Sequence, residues 1–310
     1  MAQRQQQPIA SCLLIVGSAL LLVSANFASD LHSPVLFIFK ALLQPITALT
    51  LVAFFIYAVW IKKALVSIAT LFATLINLFF LLPNFSLATA EVSLQSHTEL
   101  TVATFSTMTR TKNITDIIAL IDSKNPDLLC IQELSKNHRE ILFERLDGHY
   151  PYLVENNSNQ LTLSRFPLAP KNNLGHHHSS ILRHPKWGDI NIINAHMPRP
   201  YLSIKLADSW KKLFKLLEGE STIILCGDLN ITPNNSLYNL LRYQYGLSDS
   251  QTSGYGFTYP SNTRRSAIFG PLIRIDYILT RGMKSSKTKT FSASNLSDHR
   301  AVITHISLDQ

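Results

Sequence analysis

Three cysteines in 310 residues, none spaced from another as zinc ligands are, leave no room for a disulfide scaffold or a thiolate metal site. Cys12 falls in a long apolar run. Cys130 and Cys226 sit inside apolar stretches that read as core strands, where a thiol behaves as a small hydrophobe, so buried thiols are expected; a bridge between them in an oxidising compartment stays open. The run His176-His177-His178 has no second cluster of ligands nearby and reads as exposed histidines on a strand or loop. Charge is also scarce, at 15% of residues, and the scarcity is local. Ile9 to Phe27, Ala41 to Ile61 and Ala64 to Leu82 carry none. With no acid inside these runs, an ion or proton pathway through them is disfavoured.

What these runs do have is length, each close to the roughly 20 residues that cross a hydrocarbon core. Residues 1–83 are therefore expected to form a membrane anchor of about three transmembrane helices. A cleaved signal peptide is the alternative for the first run, but two more follow and no strong cleavage site ends it. Val35 to Phe39, with Lys40, either extends the second helix or lies in the interface. Arg4 and Lys62-Lys63 mark cytoplasmic ends, so three crossings leave the rest of the chain on the periplasmic or external side of an inner or plasma membrane. Residues 84–97 are polar and small, a tether to a domain at 98–310; Ala88-Thr89-Ala90 within it matches a signal-peptidase pattern common in linkers. Setting aside Arg4, Lys40, Lys62 and Lys63 from the 28 basic residues, and Asp30 and Glu91 from the 20 acidic ones, leaves that domain at +6. An anionic partner suits it, although Lys211, Lys212 and Lys215 on a helix face, and Lys284, Lys287 and Lys289 in an expected exposed turn, serve equally as a solvated surface.

Within 98–310 one pattern recurs: an apolar, β-branched run stops at a polar residue able to do chemistry. Ile223-Ile224-Leu225-Cys226-Gly227-Asp228-Leu229-Asn230 ends in a carboxylate and a carboxamide two apart, which share a side if extended geometry persists; an Asx-turn that only caps the strand is the plain alternative. Leu128-Leu129-Cys130-Ile131-Gln132-Glu133 ends in an acid, and Ile190-Asn191-Ile192-Ile193-Asn194-Ala195-His196 in an imidazole. Arg274-Ile275-Asp276-Tyr277-Ile278-Leu279 places an acid in a strand, and Ser297-Asp298-His299 precedes the run Ala301 to Ile306. Further strands are expected at Thr101 to Phe105 and Leu161 to Leu163, with a hairpin pairing Ser180 to Leu182 with Asp189 to Ala195. Helices are expected at Ile114 to Ser123, His138 to Leu146, Leu202 to Glu218 and Ser236 to Arg242. Mixed in this way they imply a layered α/β sandwich.

The QE, strand-end His, GDxN, D-Y-I and terminal SDH motifs, in that order over roughly 200 residues, resemble the endonuclease/exonuclease/phosphatase superfamily of DNase I-like metal-dependent phosphoesterases. The resemblance implies a four-layer α/β sandwich with two largely antiparallel sheets, helices outside, and the site on the rim where strand ends from both sheets meet. It implies Mg²⁺, with Mn²⁺ as a substitute, held by Glu133 and Asp298. Asp228 would orient or deprotonate the attacking water, and Asn230 would bond the phosphate. His299 would contact the scissile phosphate while Asp276 holds its other nitrogen, and His196 would assist the phosphate or leaving group. The family's first strand ends in Asn where this chain has Ser106, so the metal shell expects a shorter hydroxyl there.

Substrate is left to the loops. Gly254 to Arg274 carries aromatics and the pair Arg264-Arg265, suited to a polyanion: nucleic acid first, a phospholipid headgroup second. The membrane is the other expected partner; no protein partner is inferred. Besides a membrane-tethered phosphoesterase, two readings remain: a binding or sensing pseudoenzyme of the same fold, and a membrane protein whose helices do the main work.

Overall fold

A computed structural model describes residues 2–30, 33–82, 86–87, 99–108, 114–146, 148–199, 206–251, 253–254, 256–262, 267, 270–292 and 297–308. The chain divides into two compact units, residues 1–85 with 232–239, and residues 86–231 with 240–310.

The first unit is helical: α1 (Ala2–Phe27), α2 (Pro34–Ile38), α3 (Gln44–Trp60), α4 (Ala64–Leu81) and the short α8 (Ser236–Asn239). Three membrane spans are not what forms. Among the described residues α4 alone is long and apolar enough, while Val35–Ala41 and Ile46–Trp60 reach that length only together, across a 74° bend. The apolar part of α1, Cys12–Phe27, is shorter. The bend has a backbone cause: the turn Phe39–Leu43 is a π-helix, and Pro45 offers no N–H to continue the α ladder. Much of the helix polarity is met internally: Thr70 and Thr74 hydroxyls return to carbonyls one turn back, and Asn77 Nδ2 donates to Thr47 Oγ1 at 3.1 Å while its Oδ1 is left without a partner among the described residues. Asp30, buried beside Lys40, accepts Ser236 N–H at 2.9 Å and Asn235 Nδ2 at 2.6 Å.

The second unit holds two six-stranded sheets and a small pair. In chain order the strands are β1 (Ser86–Leu87), β2 (Leu100–Ser106), β3 (Leu128–Gln132), β4 (Tyr152–Asn156), β5 (Gln160–Ser164), β6 (Leu168–Asn173), β7 (His177–His184), β8 (Gly188–His196), β9 (Ile223–Asp228), β10 (Ser248–Asp249), β11 (Ser253–Gly254), β12 (Asp276–Arg281), β13 (Met283–Ser292) and β14 (Arg300–Leu308). One sheet runs β10-β12-β9-β8-β7-β6, the other β13-β14-β2-β3-β5-β4, and β1 pairs with β11. Among the described residues only β2–β3 and β8–β9 are parallel; the other pairs are antiparallel. Of the expected tether, Ser86–Leu87 is described as β1, and the rest lies outside the described residues.

Three layers of burial follow from the strand pattern. Leu100, Val102, Leu128, Cys130, Val302 and Ile306 of one sheet meet Leu182, Ile190, Ile192, Ile224, Cys226 and Ile278 of the other in a single apolar cluster. Alternate residues, among them Ala103, Phe105, Leu129, Ile131 and Ile303, turn outward under α5 (Thr115–Lys124) and α6 (Lys136–Leu146). On the far side α7 (Leu206–Leu217) buries Trp210, Leu213, Leu216 and Leu217, and Leu216 O receives Asn191 Nδ2 from β8. Both cysteines are free and fully buried, as expected of core thiols, and they come from opposite sheets.

Two surface expectations change. Lys284, Lys287 and Lys289 belong to no turn; they line β13, a ten-residue strand at the edge of its sheet, where lysine discourages pairing with another chain. Of the three consecutive histidines only His176 is exposed. Strand alternation and a covering helix bury the others: His177 Nε2 meets Ser209 O of α7 at 3.0 Å, and His178 Nε2 meets Thr162 Oγ1 at 2.8 Å.

Candidate active site

The register of the strands builds the site. In one sheet His196 at the end of β8 lies opposite Asp228 at the end of β9, and Asp228 lies opposite Asp276 at the start of β12. In the other, Ser106 ends β2 beside Gln132 at the end of β3; Glu133 follows, and Asp298-His299 leads into β14. Gly227 makes the first line possible: a Cβ there would stand 1.8 Å from Ala195 O, a backbone atom with no freedom to withdraw.

The side chains form a string of close contacts. His196 Nε2 lies 3.4 Å from Glu133 Oε1 and 3.8 Å from Asp228 Oδ2. On the other side of that carboxylate, His299 Nε2 is also 3.8 Å from Asp228 Oδ2 and 3.9 Å from Asp298 Oδ1. His299 Nδ1 meets both oxygens of Asp276, at 2.9 and 3.1 Å, fixing the ring as expected from the sequence. Asp276 is itself held, since Thr258 Oγ1 accepts the N–H groups of Ile275 and Asp276. Ser297 Oγ accepts His299 N–H and donates to Ser106 O at 2.6 Å, tying the SDH turn to the end of β2.

Asn230 departs from the extended geometry. With φ at 51° the chain turns at once, Asn230 N–H returns to Asp228 Oδ1 at 3.0 Å as an Asx-turn, and Asn230 Nδ2 donates to Met197 O at 2.7 Å. It remains at the rim, oriented by the turn and not by strand alternation. Glu133 also has positive φ, 56°, a conformation costing a residue of its kind about 1–2 kcal/mol. Both strained residues fall in the motifs, where such strain tends to collect.

Burial is the largest influence on His299, Asp228 and His196, and their neighbours decide the outcome. Burial opposes charge on His299, but Asp276, Asp228 and Asp298 outweigh it and push its pKa up to about 10. Burial, with Asp276 and Glu133, raises Asp228 to about 8 although His299 pulls the other way. Burial, with the positive charges of His299 and Arg199 nearby, takes His196 down to about 3, so it is a neutral imidazole. The set thus offers a fixed positive donor, a carboxylate ready to take a proton, a neutral ring and hard oxygen donors.

Those donors fit a divalent cation. Glu133, Asp228 and Asp298 present carboxylates, and the hydroxyl of Ser106, fully buried, has no hydrogen-bond partner. Asp228, Asp276 and His299 each also place one ligand atom within 4.8 Å of the others, a grouping that could hold a metal. Arg264 and Arg265 lie outside the described residues. Two neighbours escape the motifs: the Tyr259 ring lies 5.1 Å from that of His299, and the exposed His176 ring stands edge-on to His196 at 6.4 Å. The antiparallel pairing of β7 with β8 was the available signal for His176, since it faces His196 across that ladder.

A sequence model of the endonuclease/exonuclease/phosphatase family matches residues 105–299, a span that begins one residue before Ser106 and ends on His299. A comparison with curated protein sequences finds no match. Among solved structures, an endonuclease/exonuclease/phosphatase from Bacteroides vulgatus aligns with TM-score 0.53 at 16% identity, covering 68% of this chain and 100% of its own. One from Beutenbergia cavernae aligns at 0.51 and 18%, covering 68% and 72%. The human Nocturnin catalytic domain aligns at 0.50 and 16%, covering 68% and 94%. At such identities the likeness is one of fold, and it extends to two mixed sheets flanked by helices.

Proposed function

The chain belongs to the endonuclease/exonuclease/phosphatase family, and on that premise we propose that it is a membrane-tethered, Mg²⁺-dependent phosphoesterase that cleaves phosphodiester or phosphomonoester bonds. The observation that carries the proposal is the unbroken string Glu133–His196–Asp228–His299–Asp276, assembled from both sheets with no gap above 3.8 Å. A scaffold has no use for it.

Glu133 and Asp298 hold the cation, whose chemistry when bound is to neutralise charge on the phosphoryl oxygens and acidify water. Asp228, raised toward neutrality, takes the proton of the attacking water, as a base poised near working pH does best. His299, kept charged by Asp276, donates to a phosphoryl oxygen where negative charge grows, and Asn230 supplies a neutral donor beside it. His196, neutral, orients the leaving side. Ser106 stands where the family's carboxamide is expected and reaches less far, which lowers cation affinity without removing a ligand.

Nucleic acid is the favoured substrate, on the +6 balance and the arginine pair Arg264-Arg265, with phospholipid headgroups second. For the membrane the support is α4, preceded directly by Lys62-Lys63: basic residues stay cytoplasmic, which puts residues beyond α4 on the periplasmic or external side. The full-length chain in detergent is assayed on bis- and mono-(p-nitrophenyl) phosphate with and without Mg²⁺, beside Glu133→Ala. Metal-dependent turnover lost in the variant supports the reading; turnover no higher than in the variant makes the chain a binding relative. Arg264→Ala with Arg265→Ala raises the Michaelis constant for DNA across a salt series and leaves turnover number unchanged; cleavage of anionic liposomes alone reverses the substrate order.

A further inference from the structure

Between the sheets, a chain of buried, hydrogen-bonded polar side chains runs beneath the candidate site. Gln132 immediately precedes Glu133. Its Nε2 donates to Thr104 Oγ1 at 3.1 Å within its own sheet and to Asn194 Oδ1 at 2.9 Å on the opposite sheet. Asn194, two residues before His196, answers with Nδ2 to Leu161 O at 3.0 Å, Thr162 Oγ1 at 3.2 Å and Ile131 O at 3.3 Å. Thr162 Oγ1 in turn meets His178 Nε2 at 2.8 Å. Every member is at most 1% exposed.

Polar groups buried this deeply cost stability unless they are paired, and here their pairing carries direction that apolar contact lacks. Direction is what the site needs. Glu133 comes from one sheet, His196 and Asp228 from the other, and the 3.4 Å approach of Glu133 to His196 exists only while the sheets hold one register. Glu133 also sits at positive φ, a state that persists only where both flanks are fixed. Leu134 N–H to Asn159 O at 2.9 Å fixes one flank. On the other, Gln132 O accepts from Thr107 N at 2.9 Å and Thr107 Oγ1 at 3.1 Å while its side chain crosses to Asn194.

We propose that the Gln132–Asn194 pair, backed by Thr162 and His178, is a positioning device that locks the two sheets in register and holds the Glu133 carboxylate against His196 and Asp228, and so sets affinity for the divalent cation. The proposal rests on Glu133 being a ligand of that cation. These residues touch neither substrate nor metal; they act through Glu133.

The test measures Mn²⁺ binding to the full-length chain in detergent, by the loss of the free-ion electron paramagnetic resonance signal, for Gln132→Met, Asn194→Leu and the double variant. Each single change weakens binding about 10-fold or more, in the range seen for residues that orient metal ligands, and the double variant is no weaker than the worse single because one couple is broken in all three. Turnover at saturating Mn²⁺ stays within a few-fold of wild type, whereas a loss of stability alone would leave the binding constant of the folded protein unchanged. Folded variants that bind Mn²⁺ as wild type does overturn the proposal. Glu133→Gln is measured in parallel: if it leaves binding intact the ligand assignment fails, and if it alone weakens binding only the positioning role fails. Should the single variants not fold, Thr162→Val, which cuts the outer link and removes no volume, takes their place; weaker binding supports the device and unchanged binding overturns it.

Discussion

On one side of the Asp228 carboxylate β14 brings His299, and on the other β8 brings His196, each with Nε2 3.8 Å from the same oxygen. Their surroundings differ. The β12–β14 side supplies Asp276 and Asp298 and keeps its imidazole charged, whereas on the β7–β8 side burial, with Arg199 nearby, keeps its imidazole neutral. His177 and His178, behind His196, are neutral as well, burial lowering each to about 4. One ring type therefore serves as fixed cation and as neutral partner within a single site, and the strand that delivers it decides which.

The sharpest way to break this pairing is to remove the charged side. His299→Ala lowers turnover by about 10³ to 10⁴, the upper part of the range for an acid or base group; because the ring is buried against Asp276 the variant also melts lower, so turnover is measured below its transition. Measured kcat and thermal melts check it; a variant of near-normal turnover sinks the assignment. The neutral side is tested by acid. His177 and His178 have folded pKa values near 4 against an unfolded value near 6.5, so the unfolded chain binds more protons in between. Stability is then full above about pH 6.5 and falls as pH drops toward 4, by up to about 1.4 kcal/mol per pH unit for each ring. Denaturation midpoints from pH 7 to 4 report it, and His177→Asn flattens the fall; a midpoint constant over that range shows that the two rings are not held neutral. Smaller again is Asp276→Asn, which removes the leading charge that raises His299. The alkaline limb of the pH–rate profile then moves to lower pH and kcat falls about 10-fold, in keeping with loss of a ring-orienting carboxylate. An unmoved limb assigns it to another group.

The sequence carried the site better than it carried the frame around it. Runs that end in Glu133, His196 and Asp228, and the one that starts just after His299, were legible because a buried strand is apolar on both faces and its polar terminus stands out. β4, β6 and β13 were not, because Tyr152–Asn156, Leu168–Asn173 and Met283–Ser292 are edge or near-edge strands with exposed, polar residues that show no alternation. The apolar runs of the first unit were legible as runs, but composition does not show that Phe39–Leu43 becomes a π-helix and that the chain bends there. The Gln132–Asn194 chain was hidden for the opposite reason. Its members sit inside apolar runs, where a single Gln or Asn looks like an interruption until the facing sheet is in place.

Ser106 offers the finest adjustment. Its hydroxyl is buried without a partner, while its carbonyl receives Ser297 Oγ, which also caps His299 N–H, so the position joins the end of β2 to the charged side of the site. Asparagine there restores the family's carboxamide and extends a donor past where the hydroxyl stops. One added hydrogen bond to a cation-bound water is a net gain of about 0.5–1.5 kcal/mol, a factor of about 2 to 10 in the Mg²⁺ concentration for half-maximal rate. Because the gain acts on cation binding alone, the rate at saturating Mg²⁺ stays close to wild type and the pH profile keeps its limbs. Titrating Mg²⁺ against initial rate for Ser106→Asn separates the two quantities. A clear loss at saturating Mg²⁺, with a shifted alkaline limb, shows instead that β2 has closed around serine and that the larger side chain displaces Ser297 and, through it, His299.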